Sequence, residues 1–317
     1  MPTSGGNPHP RPSHGSATKR IHTLFACCAI GLMLIAAACS SSKKTTSSTT
    51  TAAPKGSGPV DVASAGSLQG LMTNLIGPGF KKSTGYTFVG TSGDSGTLAT
   101  EIEAGTQVTD IFISANPAKN AGLMGTANKN LVSWYAEWAT SPLVIGYSPT
   151  SKFATDLKTM PWYQVLALPG ILIGRTDPAS DPAGALAVTA LTAAATKYNE
   201  PALTAITTST SNVYPETTLV GRLQSGQLDV GFFYDIEAKG ASPAIPTVPL
   251  TGDSGEAAMY TITILNNAAH TAGAQAFVEY LVGPDAKSAL DADGLTLVSP
   301  AVVTGTPPAA LSSVLPG

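Results

Sequence analysis

The stretch TSGDSGTLATEIEAGTQVTDIFISAN, residues 91–116, places a serine- and glycine-rich turn, a helical pattern and a short β-rich run in direct succession. A further β-rich run at 87–90 precedes it, the helix is predicted over 98–104, and the closing strand over 110–114. Serine at such a turn caps a helix by accepting hydrogen bonds from free backbone amides. Strand, helix and strand in this order predict the α/β class.

The same alternation continues on both sides of this stretch. Further strands are predicted at 60–64, 143–147, 171–174, 230–234, 247–250 and 259–265. Further helices are predicted over 68–80, 184–198, 219–223 and 272–281. Strands that alternate with helices indicate an α/β fold with largely parallel sheets.

The N-terminal segment is typical of an export signal. Lys19 and Arg20 precede an apolar run over 21–38, which ends in three alanines before Cys39. Small residues before a cysteine predict a signal peptide over 1–38 and a lipidated Cys39, and residues 39–59 then form a Ser/Thr-rich tether. The protein would be exported and anchored to the outer side of the cell membrane. An uncleaved membrane anchor is the alternative, since about 18 apolar residues can just span a bilayer.

Composition excludes several classes of protein. All three cysteines lie at or before Cys39, so the folded region has no disulfide framework and no thiolate metal site. All 20 acidic residues but only 11 of the 17 basic residues follow Pro59, which gives that region a net charge of about −9. Such a surface is a poor partner for nucleic acid.

Serine and glycine recur where predicted helices begin, at 64–68, 91–99 and 181–186, and a fourth junction lies at 215–218. Helix N-termini bind anions through free N–H groups and the positive end of the helix dipole. Four of them could surround one oxyanion without a lysine. The alternative is that each turn only caps its helix.

Five blocks of the sequence resemble the periplasmic molybdate- and tungstate-binding proteins of ABC importers. The blocks are SAGSL (64–68), SGTLATEIEAGTQVTDIFISAN (95–116), IGRTDPASDPAG (173–184), LQSGQLDVGFFY (223–234) and FVEYLVGPDAKSALDADGL (277–295). The resemblance implies a type II periplasmic binding protein with two lobes, each a mostly parallel sheet flanked by helices, and a two-strand hinge near 143–147 and 259–265. Lobe 1 would comprise 60–142 and 260–317, and lobe 2 would comprise 143–259.

The resemblance also implies the function: a monomer that captures a tetrahedral oxyanion and delivers it to a membrane permease, without a cofactor and without catalysis. It assigns oxyanion contacts to Ser67, Ser95, Ala115, Ala183, Thr217 and Tyr234. The two serines would donate hydroxyl and backbone N–H hydrogen bonds. The two alanines and Thr217 would donate backbone N–H groups, and Tyr234 would donate its phenol.

One branch of the family adds two carboxylates that bind the metal of the oxyanion. The aspartate of that pair corresponds to Asp181, but Phe233 stands at the position of the glutamate. A tetrahedral oxyanion is therefore expected, with Asp181 as a candidate extra ligand or a turn residue. Sulfate or another small ligand, or a surface lipoprotein with a protein partner, are the alternative functions.

Other motifs receive structural interpretations. The tetrapeptide GDSG at 93–96 and 252–255 resembles the nucleophile motif of serine proteases, but His270 follows Ser95, which reverses the order of those enzymes. Asp177 is interpreted as a turn residue and Arg175 as a bystander to the site. The aromatic cluster of Trp134, Tyr135 and Trp138 is read at helical spacing as packing near the lobe junction.

Overall fold

The computed structural model describes residues 56–250 and 256–315. The strands are β1 (Pro59–Ala65), β2 (Thr87–Gly93), β3 (Ile111–Ser114), β4 (Trp134–Tyr147), β5 (Ile173–Gly174), β6 (Val230–Tyr234), β7 (Thr247–Pro249), β8 (Ala257–Ile264) and β9 (Thr296–Gly305). The predicted signal peptide, Cys39 and most of the tether lie outside the described residues. Within those residues, no helix combines the length and apolar character needed to cross a bilayer.

Twelve helices are defined within the described ranges. They are α1 (Gln69–Leu71), α2 (Gly77–Thr84), α3 (Ser95–Ala104), α4 (Pro117–Ala121), α5 (Asp156–Thr159), α6 (Trp162–Leu166), α7 (Pro182–Lys197), α8 (Pro201–Thr208), α9 (Glu216–Gln224), α10 (Asp235–Gly240), α11 (Thr271–Val282) and α12 (Pro284–Ala292). A 3₁₀ turn at Gly66–Leu68 leads into α1, and a π-helical turn at Met72–Ile76 joins α1 to α2.

The first sheet has the order β2-β1-β3-β8-β4, with β9 on the far side of β4. β1 pairs in parallel with β2 and β3, whereas β8 is antiparallel to both β3 and β4. The parallel strands send their carboxyl ends to one edge, where the 3₁₀ turn and α3 begin.

The second sheet is built on the other half of β4. Residues 143–147 pair antiparallel with β6 and β7, and β5 pairs in parallel with β6. β4 changes partners between Pro142, which faces Ala257, and Leu143, which faces Tyr234. One continuous strand therefore belongs to both sheets. The division into two lobes at this point stays a prediction.

The α/β class is confirmed, but both sheets are mixed where mostly parallel sheets were predicted. The antiparallel pairs all involve β4 or β8, the two strands next to the change of partners. β8 lies wholly in the first sheet and begins at Ala257. The chain thus enters the first sheet earlier than the predicted crossing at 259–265.

The helical spacing assigned to the aromatic cluster is wrong, because these residues lie in β4. The prediction that they serve packing is confirmed: Trp134 and Trp138 are each 2% exposed, and Trp138 lies 6.2 Å from Tyr260 between ring centroids. β9 and the first half of β4 were not predicted. The core around them is completed by α2 and α11, where Phe80 meets Phe277 edge-on at 5.0 Å.

Arg175 fixes the C-terminal end of α8 to the second sheet. Its guanidinium, only 3% exposed, donates to the backbone carbonyls of Thr176, Ile206, Thr207 and Ser209 at 2.9–3.4 Å. The loop that follows it contains a further hydrogen bond, in which the Asp177 side chain accepts from the Ala179 N–H at 2.9 Å. Arg175 and Asp177 thus have the structural roles predicted for them.

We expect Arg175→Ala to lower the free energy of unfolding by about 3 kcal/mol, because four carbonyls, two of them in buried hydrogen bonds, lose a charged donor. Urea denaturation of the two proteins measures the difference.

The matched control is Arg222→Ala on α9. Its guanidinium stacks 4.4 Å from the Tyr214 ring and bonds to Gln227. This change should cost less than about 1 kcal/mol. Equal losses in the two variants would contradict this role for Arg175.

Candidate functional site

The six predicted contact residues lie where strands end and helices begin. In the loops of the first sheet, Ser67 occupies the 3₁₀ turn after β1, Ser95 is the first residue of α3, and Ala115 follows β3. In those of the second sheet, Ala183 and Thr217 lie in the first turns of α7 and α9, and Tyr234 ends β6. All except Thr217 are buried. Ligands of open α/β sheets bind at such edges.

Direct contacts show that these loops meet. The Gly96 N–H donates to the Ser180 carbonyl at 2.8 Å, which joins the start of α3 to the loop before α7. The Ser180 hydroxyl donates to Asp94 at 3.2 Å, and the Glu216 N–H donates to the same carboxylate at 3.3 Å. Asp94 therefore ties the first sheet's loop to two loops of the second sheet.

Several predicted donors already have partners inside the protein. The Ala115 N–H donates to Ser95 Oγ at 3.2 Å, and the Tyr260 hydroxyl donates to Ser67 Oγ at 3.0 Å. The hydroxyl of Tyr234 differs, because it is fully buried and has no hydrogen-bond partner among the described residues. A buried hydroxyl without a partner is costly, which marks it as a group that a ligand would satisfy.

Asp181 is the N-cap of α7, as its place before Pro182 suggested. Its Oδ1 accepts hydrogen bonds from the Ala183 N–H at 2.7 Å, the Gly184 N–H at 3.4 Å and the Thr176 hydroxyl at 2.9 Å. The predicted N–H of Ala183 is thus engaged by Asp181. Asp181 is also one of three carboxylates, with Asp94 and Glu216, whose oxygens lie within 4.8 Å of one another.

Asp94 and Glu216 were not selected from the sequence. Each is one residue away from a predicted contact residue, at the start of a helix, and this position was the only signal available. Glu216 is 3% exposed and lies against the Gly66–Ser67 backbone. A Cβ at position 66 would collide with Glu216 Oε2, so a larger residue there would require the buried glutamate side chain to shift.

Phe233 cannot contribute to the site, since its side chain is fully buried among Val144, Leu219 and Leu228. Two carboxylates follow along the chain: Asp235 pairs with Lys239 at 2.6 Å, and Glu237 caps the start of α10 by accepting the Tyr234 N–H at 2.8 Å. The carboxylates grouped with Asp181 are those of Asp94 and Glu216, and none comes from the position of Phe233.

The protease interpretation gains no support from geometry. Ser95 Oγ accepts a hydrogen bond from the Ala115 N–H. The ring of His270 lies 2.9 Å from Asp110 and 3.6 Å from Asp61. The histidine thus belongs to a separate cluster with those two aspartates.

A cavity of about 370 Å³ adjoins the carboxylates between α1, α9 and α10. Ser67, Glu216, Thr217 and Glu237 line it, but Ser95, Ala115, Ala183 and Tyr234 do not. Two of the six predicted residues, Ser67 and Thr217, therefore line this cavity, and the other four do not.

Burial and repulsion from neighbouring carboxylates raise the pKa values of Asp181 and Glu216. Burial and the charge of Asp94 raise the pKa of Asp181 to about 6, against the lowering effect of its hydrogen bonds from Thr176, Ala183 and Gly184. Burial, then Asp181, Glu237 and Asp94, raise the pKa of Glu216 well above its usual range, and the Ser67 N–H opposes this. The site thus favours neutral acids or bound positive charge.

We expect stability to fall as the pH rises through the range in which Asp181 ionises. Its folded-state pKa of about 6 exceeds the ordinary 3.8, so the folded state holds the proton more tightly. The resulting stability is fully present below about pH 4 and is lost as the pH rises through 6, by about 3 kcal/mol. Urea denaturation at pH 4 and 7 should show a clearly smaller loss in Asp181→Asn than in the native protein, because the raised pKa of Glu216 contributes its own loss to both.

The matched control for this pH effect is Asp177→Asn, an exposed aspartate of the same loop. Its pH dependence should equal that of the native protein. A pH dependence in Asp181→Asn that matches the native one would contradict the assignment.

Comparisons with known proteins identify solute-binding proteins as relatives of this chain. The family described as bacterial extracellular solute-binding protein matches residues 60–296. A provisionally named ABC transporter molybdenum-binding protein of Haloferax volcanii is 31% identical over 55% of this chain and 54% of its own length. The molybdate/tungstate-binding protein of Thermococcus kodakarensis is 24% identical over 56% of this chain and 64% of its own length. The chain thus spans between half and two thirds of these two relatives.

Among solved structures, the periplasmic molybdate-binding protein of Azotobacter vinelandii superimposes with a TM-score of 0.59. It is 24% identical and covers 75% of this chain and 99% of its own. At that identity the similarity shows the fold alone. Because the family match extends over most of the described residues, the chain belongs to the family of bacterial extracellular solute-binding proteins.

Proposed function

We propose that this protein captures a tetrahedral metal oxyanion, molybdate or tungstate, outside the cytoplasm for import by an ABC transporter. The observation that carries the proposal is the fully buried, unpartnered hydroxyl of Tyr234, next to helix starts that meet from both sheets. The names of the Haloferax and Thermococcus relatives support molybdate and tungstate as the cargo.

The chemistry of the donors suits an oxyanion. Such a dianion spreads its charge over four oxygens, each of which accepts hydrogen bonds from hydroxyl and N–H groups. Ser67, Ser95 and Tyr234 would supply hydroxyls, and Thr217 in the first turn of α9 would supply an N–H group. Ala183 in the first turn of α7 would share with the oxyanion the N–H that Asp181 Oδ1 accepts. Ala115 would add the N–H that it now gives to Ser95. Neighbouring first turns add the positive ends of their dipoles.

Asp181 has a second role in this proposal. Its Oδ1 accepts the Ala183 and Gly184 N–H groups and so holds the first turn of α7 in place beside the proposed oxyanion. Glu216, and not residue 233, would be the carboxylate beside it.

Cellular placement forms the remaining part of the proposal. Cleavage before Cys39 and its lipidation would anchor the protein on the outer face of the cell membrane, with the tether over 39–59 allowing the folded region to reach its permease. The protein would act as a monomer that shuttles between open and closed forms, with the two strands β4 and β8 as the hinge, near 143–147 and 259–265.

Molybdate and tungstate at about 100 times their dissociation constants should each stabilise the protein by about 2.7 kcal/mol. For a region of this size the melting temperature would rise by about 5–10 °C. Thermal shift and calorimetry with the three anions molybdate, tungstate and sulfate test the proposal. A larger effect of sulfate would reassign the cargo, and no effect of any anion would refute oxyanion capture.

We expect Tyr234→Phe to weaken oxyanion binding at least tenfold, because one hydrogen bond to a charged ligand is lost. Its melting temperature without the anion should stay level or rise, since a buried unpartnered hydroxyl is removed. The matched control is Tyr86→Phe, a half-buried tyrosine that stacks on Phe80 away from the site. Unchanged affinity in Tyr234→Phe would exclude this phenol from the site.

A further inference from the structure

We propose that Asp94, Asp181 and Glu216 form a site for a hard divalent cation of the Ca²⁺ or Mg²⁺ class. Each residue offers one carboxylate oxygen, and the three oxygens lie within 4.8 Å of one another. Asp94 comes from the first sheet's loop, and Asp181 and Glu216 come from the second sheet's loops. A bound cation would therefore join the two sheets at the place where the proposed oxyanion enters.

The spacing of the oxygens fits a single ion. Ca²⁺ binds oxygen ligands at about 2.3–2.6 Å, so two ligands on opposite sides of one ion are about 4.6–5.2 Å apart. Oxygens that all lie within 4.8 Å can contact the same ion with little rearrangement. Carboxylates are also the ligands that hard cations prefer.

Hydrogen bonds hold two of the three carboxylates in position. Asp181 receives its bonds on Oδ1 from two first-turn N–H groups and a threonine hydroxyl, which leaves Oδ2 for another partner. Asp94 accepts from the Ser180 hydroxyl and the Glu216 N–H, and each carboxylate oxygen can accept more than one contact. Partners of this kind orient metal ligands in known sites.

Glu216 supplies an independent indication of a ligand. Its Oε2 is buried and has no hydrogen-bond partner among the described residues, although the residue is only 3% exposed. The fully buried hydroxyl of Tyr234 is a second atom without a partner in the same region. A buried oxygen that lacks a partner costs free energy, and a cation between the carboxylates would remove that cost at Glu216.

No basic side chain neutralises these acids within the described residues. The ion pairs found there involve Asp61, Asp110, Asp235 and Asp291. Arg175 is committed to backbone carbonyls. Lys119 lies near Gly96 at the edge of the site but forms no ion pair with the three carboxylates. When these acids are ionised, the compensating positive charge would therefore come from a ligand.

Cation binding would also serve the proposed capture of an oxyanion. Only this coupling between cation and oxyanion rests on the proposed function. An oxyanion that approaches three carboxylates is repelled unless their charge is compensated. A divalent cation at the cluster would supply that charge, so cation and oxyanion should bind with positive coupling. The cation site itself does not depend on which anion, if any, the protein carries.

Calorimetry tests the site directly. The protein, freed of anions and metals with a chelator and dialysed, is titrated with CaCl₂ and with MgCl₂. We expect one cation per chain and at least tenfold weaker binding in Asp94→Asn and in Glu216→Gln. Both changes preserve the size of the side chain, and two variants guard against a misfolded protein. The control Asp61→Asn alters the other acidic cluster, with Asp110 and His270, and should bind as the native protein does.

Several results would overturn the site: no binding at millimolar cation, equal binding in the native protein and in both cluster variants, or loss of binding in Asp61→Asn instead. A second titration with molybdate, in the presence of chelator and then of saturating cation, separates the two proposals. Molybdate binding without any cation binding refutes the cation site and leaves the transport function standing. Cation binding without molybdate binding supports the cation site and counts against molybdate as the cargo. Tenfold tighter molybdate binding with cation supports both.

Discussion

Strand β4 is the constraint on which the rest of the structure depends. Its first half is hydrogen-bonded into one sheet and its second half into another, so both sheets must follow the direction of one continuous backbone. Everything at the site follows from this, because the loops that meet there extend from the edges of two sheets that share a strand. Buried Trp134 and Trp138 fill the core beside it and resist any large change in its course.

The electrostatics of the site place a second demand on the fold. Asp94, Asp181 and Glu216 converge where Asp181 and Glu216 are almost fully buried, and like charges repel more strongly there than in bulk water. Hydrogen bonds from helix starts offset part of that repulsion. The remainder has to be met by protons or by a ligand, so the burial of Asp181 and Glu216 bears both on the pH dependence of stability and on the ligand proposed for the site.

Much of the fold could be predicted from the sequence, and the reasons for the failures are physical. Short β-rich runs between helical patterns identified most strands, and the Ser-Gly turns correctly located the helix starts. Trp134 and Trp138 are four residues apart, and that spacing places side chains on one face of a helix and equally on one face of a strand. The pattern could not distinguish the two. Asp94 and Glu216 are far apart in the chain, and only the pairing of the sheets brings them together.

The contact between Gly66 and Glu216 links two positions 150 residues apart in the chain. Neither residue can change freely while the other stays, since any side chain at 66 would occupy the space of the glutamate carboxyl. Across related sequences these two positions should therefore vary as a pair, with a larger residue at 66 only where 216 is small. Transfer of the SAGSL turn into another binding protein would succeed only together with the start of α9.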